Sequence, residues 1–234
     1  MFSGFSRDYR PLSSWGRSAV AWEPPGIAPT MEAEPVKYFS GLDLGQPSQY
    51  TALAVLERTT QTDSENPGRN LRFYAVRHLE RFELGTSFPE ICARLKAVFS
   101  DERLQGSTLT VDRTVVGQPV IDLLRRAHLG VSTQPLTITA GQQSEYDQYG
   151  TSIVPKNELV STLQILLQTR RIKVAPSLPH AKTLTKELTR FRAKSTLVSV
   201  DTLEDWREGP HDDLVLAVAI AAWQSEHLRE LWIL

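Results

Sequence analysis

The chain has 234 residues, of which 41% are hydrophobic, and its formal net charge is −1. This length allows one large domain or two small ones with a full core. The near-zero charge argues against a protein that coats nucleic acid by bulk charge, although it leaves room for a local basic face. Cys92, the single cysteine, excludes an internal disulfide and fits a small core residue inside a helix.

Residues 1–36 differ from the rest of the chain. Five prolines interrupt them, with glycine and serine between, and no period of 2 or 3.6 residues persists. We predict an irregular N-terminal arm or linker over 1–36 and one folded domain over 37–234.

The folded part is predicted to begin with three strands joined by hairpins. The strands are 38–44, 51–58 and 71–79, with a turn at 45–49 and a loop at 60–70. Ser87, followed by Pro89 and Glu90, then has the spacing of a capping box at a helix start.

Helices and strands are predicted to alternate after that first helix. In chain order they are a strand at 107–112, a helix at 118–129, a strand at 134–139, a surface loop at 140–156, a helix at 157–170, a strand at 171–175, a helix at 179–192, a strand at 196–200 and a last helix from about 211. Hairpins followed by crossovers predict an α/β fold with a ribonuclease-H-like mixed β-sheet flanked by helices on both faces.

Acidic residues stand at the tips of three apolar segments. Asp43 ends the run 38–42, Asp112 ends 107–111, and Asp212 and Asp213 open the apolar run 214–223. Carboxylates at strand ends and a helix start can converge although they are far apart in sequence. Because converging carboxylates repel one another unless cations lie between them, the pattern indicates a site for hard divalent metal ions. Two such ions about 4 Å apart are a common means of cutting phosphodiester bonds.

Each acid also has a purely structural explanation. Asp43 could bond the amides of the following turn, and Asp112 could cap a helix or pair with Arg113. The helix dipole alone would favour one aspartate at the start of the last helix. Two adjacent aspartates directly before a fully apolar helix exceed what capping needs, so one could cap while the other binds metal.

A basic stretch lies between residues 170 and 194, where Glu187 is the single acid. Its members are Arg170, Arg171, Lys173, Lys182, Lys186, Arg190, Arg192 and Lys194. In a chain of near-zero charge this asymmetry predicts a face that contacts DNA phosphates, against the alternative of a solvated helix face. Lys182, Lys186 and Arg190 recur every four residues and therefore share one helix face.

Together these motifs resemble the C-terminal nuclease domain of viral large terminases, the motors that package DNA into procapsids. The resemblance rests on the stretches 41–45 with 50–55, the strand that ends at Asp112, and residues 209–217, which contain the run His211, Asp212 and Asp213. The segment 154–174 also looks like that family's helix followed by a short strand.

The resemblance implies an endonuclease that cuts double-stranded DNA by hydrolysis with two Mg²⁺ or Mn²⁺ ions. By that likeness Asp43 bridges both metals, Asp112 holds one, and Asp212 or Asp213 holds the other. His211 would orient a carboxylate or touch the leaving phosphate, unless it is a solvated or capping histidine, and Lys156 is a second auxiliary candidate. The implied partners are DNA and a packaging ATPase, portal or small terminase subunit in the host cytoplasm, with no membrane.

The sequence departs from that family in two ways, which limit the expectation of a complete terminase with two metal sites. The sequence shows no Gly-x-x-x-x-Gly-Lys-[Ser/Thr] phosphate loop, so we expect an isolated nuclease domain, a stand-alone relative or half of a split motor. Gln49 and Tyr50 stand where such sequences often place another acid, which could weaken a second metal site. A RuvC-type junction resolvase and a non-catalytic DNA-binding or motor-assembly module of the same fold stay open as alternatives.

Overall fold

The computed structural model describes residues 35–45, 49–66, 68–197 and 212–227. Within the helix that ends at residue 197, side chains are described as far as 189. The predicted N-terminal arm lies outside the described residues apart from positions 35 and 36.

The described residues form strands and helices that alternate after an initial group of three strands. The strands are β1 (Lys37–Asp43), β2 (Ala52–Thr62), β3 (Asn70–Arg81), β4 (Thr108–Asp112), β5 (Ser132–Thr139), β6 (Glu145–Tyr146), β7 (Ser152–Pro155) and β8 (Ile172–Val174). The helices are α1 (Phe88–Phe99), α2 (Gln118–Arg126), α3 (Lys156–Gln168), α4 (Ala181–Leu197) and α5 (Asp213–His227), with a short 3₁₀ helix at Glu102–Leu104.

All eight strands of the described ranges lie in one sheet, in the order β6-β7-β5-β4-β1-β2-β3-β8. β2 pairs antiparallel with both β1 and β3, whereas β1, β4, β5 and β7 pair in parallel and β8 is parallel to β3. The central order β3-β2-β1-β4-β5 is ribonuclease-H-like and confirms the predicted mixed sheet.

Helices cover both faces of the sheet, as predicted. One face carries Leu42, Leu53 and Leu109, which pack in a core with α1 and α2. The other face carries Ala54 and Leu136, which pack in a core with α3, α4 and α5. No helix of the described part of the chain is long and apolar enough to cross a lipid bilayer.

The start of α1 has the capping box that its sequence predicts. The Ser87 hydroxyl accepts a hydrogen bond from the Glu90 amide, and the Ser87 amide donates to Glu90 Oε2 at 2.9 Å. Cys92 lies on the buried side of this helix with 7% exposure, which confirms its expected place in the core. Burial raises the pKa of its thiol.

Two sequence predictions are wrong in this part of the fold. The predicted strand at 196–200 is wrong at its first two residues, because α4 continues to Leu197, and 198–200 lie outside the described residues. The β-branched residues there favour a strand, but no proline or glycine stops the helix that begins before them. The predicted loop at 140–156 contains β6 and β7, and β7 pairs with β5 from Leu136 to Thr139.

Several predicted helix boundaries also move, and α3 (predicted 157–170) and the start of α4 (predicted 179) differ by one or two residues. α2 ends at Arg126 rather than at 129, because His128 takes a positive φ of 48°, the left-handed conformation that commonly ends a helix. α5 begins at Asp213, whereas the predicted start at His211 lies outside the described residues.

Gly41 sets the distance between β1 and α5. A Cβ atom at Gly41 would lie 2.1 Å from the Ala217 carbonyl oxygen and 2.8 Å from the Ala221 nitrogen. The backbone of α5 can therefore lie directly on β1 only because glycine faces alanine at this crossing. This contact fixes where the N-terminus of α5 stands over the sheet.

Replacing Gly41 with alanine should destabilise the fold, because the new methyl group would clash with backbone atoms of α5, which cannot move as a side chain can. We expect Gly41→Ala to lower the free energy of unfolding by about 1–3 kcal/mol. Gly68→Ala is the matched control, because no atom lies within 4 Å of a Cβ built there. Equal denaturant midpoints for the two variants would contradict the close contact.

Candidate active site

Asp43 and Asp112 stand side by side at one end of the sheet. They are the last residues of β1 and β4, and they are register partners in this parallel pair. Neighbouring strands lie about 4.8 Å apart, so the two Cα atoms are close. Both side chains point towards α5, since Gly41 faces α5 two residues before Asp43, and Val111, adjacent to Asp112, faces the opposite core.

The loop after β4 holds Asp112 in place. Asp112 is 5% exposed, and its Oδ1 accepts hydrogen bonds from the Thr114 amide at 2.8 Å and from the Thr114 hydroxyl. The same hydroxyl oxygen accepts from the Ile138 amide at 2.8 Å. Asp112 is therefore tied through Thr114 to β5. Arg113, its candidate structural partner, donates to Asp147 Oδ2 at 3.0 Å.

The turn after β1 brings the chain back close to itself. The Gly45 amide donates to Thr51 Oγ1 at 3.1 Å, and a Cβ atom at Gly45 would lie 2.4 Å from the Tyr50 carbonyl oxygen. Glycine at this position permits the close approach of the chain's own backbone.

The N-terminus of α5 lies over the end of β1 that carries Asp43. Arg58, the register partner of Lys37 at the start of β1, donates to the Ser225 carbonyl near the end of α5 at 3.3 Å. Helix and strand therefore run in opposite directions. Asp213 lies four residues, about 6 Å along the helix, before Ala217, and Asp43 lies about 6.6 Å beyond Gly41 along the strand. Both residues therefore lie towards the same end of the sheet.

Arg81 occupies the same row of the sheet and holds Asp213. Arg81 pairs in register with Ala52, which pairs with Asp43, so the row across β3, β2, β1 and β4 reads Arg81, Ala52, Asp43 and Asp112. Arg81 Nη2 lies 3.2 Å from Asp213 Oδ2. Its guanidinium group also stacks over the Tyr50 ring, 4.8 Å from the ring centre.

Glu187 of α4 completes the group and was missed by the sequence analysis. Its carboxylate forms an ion pair with Arg81, and its side chain is 3% exposed. In the sequence, Glu187 stands out only as the single acid of a basic stretch. The signal for a buried role was its spacing, because Glu187 lies three residues after Leu184 on the apolar side of the helix.

Glu187 also caps the N-terminus of α5. Its Oε2 accepts a hydrogen bond at 3.3 Å from the amide of Val215, the third residue of the helix, which an N-cap side chain commonly bonds. A buried acid from another helix therefore caps α5 at this amide. The Asp212 carbonyl accepts the first intrahelical bond from Leu216 at 2.9 Å, which places Asp212 at the N-cap.

The surroundings of Arg81 shift the ionisation of its neighbours. Burial raises the pKa of Glu187 to about 7, although Arg81 and the Val215 amide act in the opposite direction. Burial, together with the Arg81 charge, lowers the pKa of His180, which directly precedes α4. Desolvation is thus the larger influence on both groups at this end of the sheet.

The basic residues of the stretch 170–194 divide between the two ends of α5. Lys182 and Lys186 are exposed on α4, whose Glu187 contacts the N-terminal end of α5. Arg171 donates to Glu226 Oε1 at 3.0 Å, about 20 Å along α5 from Asp213 at 1.5 Å per residue. Arg170 and Lys173 flank this second group and are exposed. The side chains of Arg190, Arg192 and Lys194 lie outside the described residues.

The two auxiliary candidates are placed differently. Lys156 is the first residue of α3 and is 7% exposed, and it follows β7, which is separated from β1 by β5 and β4. His211 lies outside the described residues. Both auxiliary roles stay predictions.

The acids at this end of the sheet have the chemistry of a magnesium or manganese site in part. Hard carboxylate oxygens from Asp43, Asp112 and Asp213 are the ligands that such ions prefer. Among the described residues, however, no group of three acidic, histidine or cysteine side chains is arranged to hold a metal ion. Arg81 lies beside Asp213 where a cation would lie, and Asp43 and Asp112 are the candidate ligands that the sheet places next to each other.

No protein-family model and no curated protein sequence matches this chain. Among solved structures, the fold is similar to the large terminase nuclease from the thermophilic phage G20c, with 23% sequence identity and a TM-score of 0.48. The match covers 81% of this chain and 82% of that one. At this level of similarity the match assigns neither a family nor a residue role to this chain.

The raised pKa of Glu187 predicts a dependence of stability on pH. Because the folded protein binds this proton more tightly than the unfolded chain does, the stability from Glu187 is present below its ordinary pKa of 4.5 and is lost as the pH rises through about 7. Relative to Glu187→Gln, the wild type should lose roughly 2 kcal/mol over that range.

Thermal unfolding of both proteins across that pH range, without metal, measures this loss. Glu83→Gln at an exposed position controls for removal of one carboxylate. A stability difference that stays flat or grows with pH would contradict the raised pKa.

Proposed function

We propose that this chain is a metal-dependent endonuclease that hydrolyses double-stranded DNA, as in viral genome packaging. The single observation that carries the proposal is the register pairing of Asp43 with Asp112, directly below the N-terminus of α5. Two carboxylates on adjacent strands, with further acids beside them, form a concentration of negative charge that stability alone does not require. By the resemblance, a packaging ATPase, portal or small terminase subunit is the proposed protein partner.

Each residue has a defined part in this proposal. Asp43, Asp112 and either Asp212 or Asp213 would hold two Mg²⁺ or Mn²⁺ ions. Such ions supply a water of lowered pKa and neutralise charge on the phosphate. Thr114 keeps Asp112 oriented, and Gly41 keeps α5 close enough for its aspartates to reach the site.

The exposed lysines of α4 are the proposed contacts with the DNA backbone nearest the acids. Lys182 and Lys186 lie about 40° apart around the helix axis, so they share a side. The exposed side of α4 that carries these lysines lies next to its buried side, on which Glu187 contacts α5. DNA phosphates bound along it would bring a neighbouring phosphodiester towards Asp43 and Asp112.

One contact favours the alternative of a non-catalytic module with the same fold. Asp213 is held by Arg81 at 3.2 Å, an arrangement that balances its charge without metal. A protein that had lost catalysis would keep such a pair. The cleavage experiment below separates the two proposals.

Removing a carboxylate at the centre of the site should abolish cleavage while leaving the fold intact. We expect purified wild-type protein to cut plasmid DNA with Mn²⁺, and Asp43→Asn or Asp112→Asn to reduce the rate by a factor of roughly 100 or more. Gel analysis of plasmid forms measures the rate. Asp122→Asn, on α2 against the opposite face of the sheet, is the matched control and should cut like wild type.

Equal cutting by wild type and Asp43→Asn would remove the assignment. Absence of cutting, with DNA binding retained, would favour the non-catalytic module. Cutting of four-way junctions in strong preference to linear duplex would favour a RuvC-type resolvase.

Reversing charge on α4 should weaken DNA binding. For the double variant Lys182→Glu and Lys186→Glu we expect a lower affinity for duplex DNA and a smaller slope of log affinity against log salt, by about one unit for each DNA phosphate that the variant no longer neutralises. Fluorescence anisotropy at several salt concentrations measures both quantities. Lys96→Glu, exposed on α1 beyond the other face of the sheet, is the control, and an equal decrease in affinity from it would contradict a specific surface.

A further inference from the structure

Arg81 makes an unusual contact with two acids at once. The same nitrogen, Nη2, meets both Asp213 Oδ2 and the Glu187 carboxylate. Its Nε atom is buried and has no hydrogen-bond partner among the residues that the structure describes. A guanidinium group bonds a single carboxylate best through two parallel N–H groups, so this arrangement leaves part of the bonding capacity of Arg81 unused.

The position of Arg81 makes it a competitor of any cation bound at the acids. It lies in the row of Asp43 and Asp112, two strands from Asp43, and its charge is directed at Asp213. A positive charge within about 4 Å of a carboxylate opposes binding of a second cation to that carboxylate. Glu187, 2% exposed, is the one described partner able to balance Arg81 if Asp213 turns away.

We propose that Arg81 and Glu187 are a positioning pair for the candidate metal site. Arg81 holds Asp213 while the site contains no metal, and it turns to a bidentate bond with Glu187, through Nε and Nη2, when Asp213 becomes a metal ligand. This inference rests on the proposed function, because it assumes that divalent ions bind at Asp43 and Asp112. It assigns Arg81 and Glu187 an influence on metal affinity, with no contact to substrate.

The pair predicts two changes of opposite sign. Arg81→Gln removes the competing charge and should tighten binding of Mn²⁺ about threefold or more. Glu187→Gln removes the alternative partner of Arg81, so Arg81 stays on Asp213 and binding should weaken by a similar factor. In the Arg81→Gln background the effect of Glu187→Gln should become smaller, because no guanidinium group is left to be released.

Isothermal titration of the full chain with Mn²⁺, without DNA and at about pH 8, where Glu187 is ionised, measures these affinities. Arg77→Gln is the matched control, because Arg77 lies on the same strand and pairs with Glu57 at 2.8 Å. Thermal unfolding without metal checks that each variant is folded. If Arg81→Gln does not fold, the test is whether Glu187→Gln weakens Mn²⁺ binding.

The outcomes separate this inference from the proposed function. If wild type binds Mn²⁺, Asp43→Asn does not, and the two changes have the opposite signs given above, the inference stands. Binding by wild type with unchanged or weakened affinity in Arg81→Gln, or unchanged or tighter affinity in Glu187→Gln, would overturn the inference alone. Absence of Mn²⁺ binding by wild type would overturn both.

Discussion

The meeting of carboxylates at one end of the sheet is the constraint on which the candidate site depends. Asp43 and Asp112 are neighbours, and Asp213 and Glu187 lie at the same end. Such a group is stable only where positive charge lies close to it. Beside Asp213 and Glu187, the guanidinium group of Arg81 and the partial positive charge at the N-terminus of α5 supply such charge.

The scaffold explains why these groups meet. Parallel pairing of β1 with β4 aligns two strand ends, and antiparallel pairing through β2 brings Arg81 into the same row. Gly41 then allows α5 to lie on β1 with its alanines against the strand. Since side chains alternate along a strand, a shift of one residue in any of these pairings would turn an acid or Arg81 to the opposite core.

Much of this arrangement could be predicted from the sequence, because local patterns encode it. Asp43 and Asp112 end apolar runs, and such runs are strands whose C-terminal ends can meet at one edge. Ser87 and Glu90 define a helix start through bonds within four residues. The mixed sheet followed from the order of elements, since hairpins and crossovers leave distinct spacings in the chain.

The parts that could not be predicted depend on contacts distant in sequence. Glu187 reads as one acid in a basic helix until the fold brings it to Arg81 and Val215, on segments 106 and 28 residues away. Arg171 carries the same charge as Lys182, yet only the fold shows that it pairs with Glu226 at the far end of α5. The strand β7 was missed because a four-residue strand takes its identity from its partner β5.

Anomalous diffraction from a crystal of this protein soaked in Mn²⁺ tests most directly whether these acids form a metal site. We predict a peak between the carboxylates of Asp43 and Asp112, with Asp213 turned towards it and Arg81 on Glu187. A crystal at saturating Mn²⁺ with no peak at Asp43 and Asp112, and with Asp213 still bound to Arg81, would contradict the proposed site.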